Sequence, residues 1–194
     1  MHAPTMAGQN VPPLRAVEVA RPVNLSPRAQ PLLKDGMTAM QFLTQLARHR
    51  LYADSIRFLT HTLTKEQAVW WGCLCVRHIG GRPLPLPQEA ALQASVRWVL
   101  EPTEERRRAV AEPAEAAGLD SPAGCVAHGA LWSGGSMAPP ELPVTPPKPY
   151  MTARVVSGGI LLASTTGDAK DFLGCQARLL TLGFDVRRGR AIWK

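Results

Sequence analysis

No stretch of this chain is apolar for long enough to cross a membrane, and the longest candidate, residues 155–163, is interrupted by two glycines. The first 22 residues, MHAPTMAGQNVPPLRAVEVARP, lack the apolar core of a secretory signal. The cytoplasm is therefore the expected compartment. Cysteine is scarce: four residues, at 73, 75, 125 and 175, show none of the paired spacing of a disulfide framework, and a chain of 194 residues does not need one. A reducing environment follows. Strand patterning is absent as well, since no run alternates β-branched and polar residues between turns.

Charge makes up only 19% of the residues, and its distribution matters more than its sum. The net charge of +7 suggests nucleic acid until it is located. Residues 1–37 hold four basic and two acidic groups, and residues 186–194 hold Arg187, Arg188, Arg190 and Lys194 with no acid, which leaves 14 basic against 13 acidic groups between them. A nearly neutral body offers no clustered cations for phosphate neutralisation, so nucleic acid is not an expected partner. The internal run Arg106, Arg107 and Arg108 fans around a helix beside Glu104 and Glu105 and reads as a solvated face.

Helix signals are plentiful. Thr38 with Gln41, and Thr64 with Gln67, have the form of capping boxes, each followed by helically spaced apolar residues. Between them a second helix is expected over residues 52–63. The third runs from Gln67 to Ile79 with Trp70 and Trp71 in its middle; it is apolar on nearly every face, which demands burial on all sides. Pro87 and Glu89 suit the first turn of a fourth helix that ends before Pro102. Thr103 opens a fifth that should be kinked or cut short by Pro113, because proline removes a hydrogen bond and crowds the preceding turn. Ser121 and Pro122 begin a sixth, Thr152 caps a seventh, and Asp168 caps an eighth with Phe172, Leu179 and Leu182 inward, ending near Gly183.

The expected fold class is all-α, an irregular helical bundle or short HEAT-like stack of about eight helices with an extended proline-rich connector. Residues 1–37, with six of the 18 prolines, read as an extended leader, residues 38–185 as one helical domain and residues 186–194 as a basic tail. Within the domain, Pro140, Pro143, Pro146 and Pro149 recur every third residue, the period of a polyproline II helix, so their rings would line one face. The expectation is either an extended strap across the surface or a proline ridge offered to an aromatic groove on another protein.

Chemistry-bearing groupings are thin. Cys75 and His78 share a helix face, but a closed zinc site needs two further ligands and none stands nearby. Asp54 with His61, and Ser133 or Ser136 near His128, are the nearest approaches to a nucleophile and base, and neither has a nucleophile elbow or phosphate loop around it. No catalytic, metal or cofactor-binding residue is assigned, and no cofactor is expected. The residues assigned to an interaction are Trp70, the four prolines and Trp193, the tryptophans because an exposed indole marks a binding patch.

The segments QAVWWGCLCVR (67–77), RWVLEPTEERRRAV (97–110), AEAAGLDSPAG (114–124), LWSGGSMAPPELP (131–143) and LGFDVRRGR (182–190) resemble a family of small, uncharacterised bacterial proteins with members beside type VI secretion genes. The resemblance covers roughly residues 38–190, and the tryptophan pair and the WSGGS element are its most distinctive words. It implies a helical accessory protein in a secretion setting, with no catalytic residues to carry over. The expected function is thus a non-enzymatic adaptor or scaffold whose partner is a protein, a secretion-system component on the resemblance. The competing readings are a secreted effector or small hydrolase with an unrecognised pocket, and a nucleic-acid binder using the Arg187 to Lys194 tail.

Overall fold

Thr38 opens the first long helix as its sequence announces: its hydroxyl accepts from the Gln41 amide at 3.2 Å, and the Gln41 side chain accepts from the Thr38 amide at 2.8 Å. Thr64 and Gln67 repeat the reciprocal pair at the next long helix. The computed structural model describes residues 13–79, 83–138, 141–166 and 169–190. Among these the helices are α1 (Ala16–Ala20), α2 (Ala39–Arg48), α3 (Tyr52–Thr60), α4 (Lys65–Ile79) and α5 (Leu86–Leu100). They continue with α6 (Glu104–Ala109), α7 (Ala111–Ala117), α8 (Pro122–Leu131), α9 (Met151–Ser164) and α10 (Phe172–Arg187). No strand is found among the described residues, and the fold is all-α.

Helix α4 is the axis of the assembly. It packs on α5, α8, α9 and α10, and nine consecutive residues from Ala68 to Val76 are buried. The apolar circumference is thereby used on every side. Early and late elements also meet directly, α3 against both α9 and α10, and α5 against α8. A linear stack would keep such elements apart, so the arrangement is a closed bundle. No helix among the described residues is long and apolar enough to cross a membrane.

Four expectations are corrected. The folded body starts before Thr38: Ala16 donates to the Met37 carbonyl and Ala39 to the Leu14 carbonyl, and Ala16, Ala20, Leu25 and Ala29 join the core. Small apolar residues among prolines gave no periodic signal there. Thr152 does not cap α9, since Tyr150 holds that position and the Thr152 hydroxyl donates to the Gly129 carbonyl at 3.1 Å. Helix α10 continues past Gly183 to Arg187, whose guanidinium donates to the Thr62 carbonyl at 3.3 Å. Phe172, expected inward, is 38% exposed, while Leu179 is buried. The expected cap at Asp168 and the glycine stop at Gly80 and Gly81 lie outside the described residues.

Pro113 acts as anticipated, with a physical refinement. The helix divides at Val110, so proline falls in the first turn of α7, where an amide hydrogen would have no intrahelical partner in any case. Arg107, 3% exposed, stands just before the break and donates to the Leu131 carbonyl at the end of α8. Its other nitrogens donate to both carboxylate oxygens of Glu104 at 2.6 Å. Lys65 donates to the neighbouring Ser133 carbonyl. Two cations thus meet the negative end of α8.

Candidate interaction site

The proline-rich connector is hydrogen-bonded near its start, where Arg108 donates to the Ala138 carbonyl at 3.0 Å, and again at Thr145. Ser136, buried at the end of the glycine turn, accepts from the Thr145 amide at 3.0 Å, and the Met137 amide donates to the Thr145 carbonyl at 2.8 Å. These bonds join the two ends of the segment between Ser136 and Thr145. Inside it Leu142 is 58% and Val144 77% exposed, and Pro143 is exposed between them. Gly135 makes the entry possible: its φ is +58°, and a Cβ there would fall 2.6 Å from the Arg107 guanidinium.

The predicted contact residues divide by burial. Pro143, Pro146 and Pro149 are all exposed, with Thr145 fixed to the body between the first two. Pro140 and Trp193 lie outside the described residues. Trp70 is fully buried, as is Trp71, so the expectation of an exposed indole at 70 is corrected. The reason is the enclosure of α4, which leaves no solvent-facing side for either ring.

Beyond Thr145 the connector ends at Tyr150, between two cavities. The larger, about 710 Å³, is bordered by Arg21 at the end of α1, by Arg57 of α3 and His61 at its C-terminal cap, and by Arg154 of α9 and Tyr150 at its N-terminal cap. The smaller, about 280 Å³, has Pro149, Tyr150 and His61 in its wall. Arg154 lies over the Tyr150 ring, 4.7 Å from its centroid, and donates to the Pro22 carbonyl at 3.3 Å. Arg57 stands 3.9 Å from the Asp54 carboxylate. His61 Nδ1 donates to the Arg57 carbonyl at 2.8 Å, and its buried Nε2 has no hydrogen-bond partner. Burial pushes the His61 pKa down and the Arg154 charge adds to the effect, which the bond to Arg57 only partly opposes.

The groupings weighed for catalysis each make other bonds. Asp54 accepts from both the amide and the hydroxyl of Ser26 at 2.8 Å, while His61 is committed to Arg57. His128 donates to the Gly124 carbonyl at 2.9 Å, its other nitrogen lies 3.5 Å from Glu115, and Ser136 serves the loop closure. No group of three metal-ligating side chains forms among the described residues.

Residues 42–187 match a family of unknown function (DUF6931). The chain belongs to that family. The match spans most of α2 through α10 and leaves out α1 with the segment that follows it, so the Arg21 wall of the larger cavity is built from residues outside the family region. No curated protein and no solved structure matches the chain.

Apart from His61, weighed only beside Asp54, the cavity residues were missed in the sequence, although a signal exists. Arg57 and His61 are four apart, as are Tyr150, Arg154 and Gly158, so each set shares one helix face. The arginines at that spacing from His61 and Tyr150 mark the wall. Only tertiary structure could bring the two faces together with Arg21.

Proposed function

We propose that the protein is a non-enzymatic helical adaptor that acts in the cytoplasm by protein–protein contact, as an accessory component of a bacterial type VI secretion system. The observation that carries this reading is the tethered loop. Leu142 and Val144 project apolar side chains into solvent from a segment whose base is hydrogen-bonded and whose prolines limit its freedom. Such a segment loses little conformational entropy when a partner's groove covers it. An apolar pair presented in this way favours contact with a protein. The secretion setting rests on the resemblance of the WSGGS and tryptophan-pair segments.

Site-specific photocrosslinking from Val144 in cells that express a type VI system tests the reading. The expected product is a covalent adduct with a component of the secretion apparatus, lost when Leu142→Asp is introduced. An adduct pattern without any such component would overturn the secretion assignment. No adduct at all would overturn the loop as the contact.

A further inference from the structure

Several arginines outside the larger cavity are matched to carboxylates. Arg77 meets Glu89, Arg106 meets Glu101, Arg178 meets Asp171 and Arg190 meets Asp185. The larger cavity differs from these pairs. Arg21, Arg57 and Arg154 arrive from three separate elements, and its wall contains no acidic residue. Asp54, beside Arg57 at 3.9 Å, already accepts two hydrogen bonds from Ser26. Arg21 makes no hydrogen bond or ion pair to any described residue. Glu18 and Asp35 border its other side, in a separate cleft of about 190 Å³.

Cations gathered on a concave wall repel one another and raise the local potential, an arrangement that an anion relieves. Guanidinium groups match phosphate oxygens through paired N–H donors and outlast any physiological pH change. Burial is the main cause of the depressed basicity of His61, and the Arg154 charge adds a smaller part in the same direction. A volume of about 710 Å³ lies within the range of pockets for nucleotide-sized ligands. We propose that this cavity binds a small phosphate-bearing anion, up to the size of a nucleotide, between Arg21, Arg57 and Arg154. The end of α1 is then part of a ligand site, and the bonds from Ser26 in the following segment to Asp54 of α3 complete the wall.

Isothermal titration of the full chain with inorganic pyrophosphate at low ionic strength tests the assignment. Single-site binding is expected, weakened about tenfold by Arg21→Gln and by Arg154→Gln, the loss of one charge-assisted contact each. Arg97→Gln on α5 removes the same charge away from the cavity and should change affinity less than about twofold. Arg21→Gln carries the test if Arg154→Gln loosens the fold, because the Arg21 side chain makes no bond to any described residue; circular dichroism checks both. Absence of pyrophosphate binding, or an equal loss with Arg97→Gln, would overturn the site. Citrate binding as tightly as pyrophosphate would overturn the choice of phosphate. None of these outcomes bears on the crosslink from Val144, so the two proposals stand or fall separately.

Discussion

The Trp71 indole N–H donates to the Leu179 carbonyl at 2.9 Å, joining two residues 108 positions apart at the centre of the bundle. One turn further along α10, Gly183 lies so close that a Cβ would fall 2.5 Å from the same ring and 2.8 Å from Leu59. The final helix is seated on α4 by an indole that both bonds to it and excludes any side chain at the crossing.

Gly183→Ala should therefore destabilise the fold by about 1–3 kcal/mol, since neither a buried indole nor a core leucine can give way freely. Gly158→Ala, in a helix where a Cβ meets nothing within 4 Å, should stabilise by about 0.5–1 kcal/mol. Chemical denaturation of both variants measures the contrast. Equal effects would mean that helix propensity alone governs the two sites.

Asp54 holds the early segment against α3. It is 3% exposed and accepts two bonds from Ser26, so Asp54→Ala should cost about 2–3 kcal/mol through the lost charged hydrogen bonds. Trypsin should then cut at Arg28 faster than in the parent protein. Unchanged cleavage would show that Leu25 and Ala29 keep the segment in place by packing alone.

Glu104 links stability to acid. Hydrogen bonds from Arg107 first of all, opposed by some desolvation and helped by Arg108, hold its carboxyl at about 2, against an ordinary value of 4.5. A carboxylate depressed on folding contributes stability that is complete above pH 4.5 and is lost as pH falls toward 2. Glu104 is itself solvent-exposed, which screens the effect. Urea midpoints of the parent and of Glu104→Gln should diverge most above pH 4.5 and converge near pH 2. A constant gap across that window would remove Glu104 as the linked group.

The thiols should be silent in the native state. Cys73 and Cys75 are fully buried, and burial pushes both well above the ordinary thiol range, so little thiolate forms at pH 8. Cys125 is shifted the same way by burial and donates to the Leu119 carbonyl. A thiol reagent should label none of these three quickly without denaturant and should label all four cysteines in its presence. Fast native labelling of Cys73 or Cys75 would contradict the enclosure of α4.

Much of the fold was written locally. Thr38 with Gln41 and Thr64 with Gln67 fix helix starts through bonds spanning three residues, and Pro113 divides its helix through a hydrogen atom that it lacks. The uninterrupted apolar run around Trp70 and Trp71 required a central, enclosed helix. These are short-range or compositional effects, and the sequence by itself determined them. Its reading of an exposed Trp70 failed because a ring's exposure depends on how many neighbours surround its helix, and α5, α8, α9 and α10 left no open side. The docking of residues 14–37, the meeting of Arg21 with Arg57 and Arg154, and the seat of α10 on Trp71 were decided only by tertiary structure. Each joins residues far apart in the chain, through packing and fields that depend on distance in space and leave no period along the sequence.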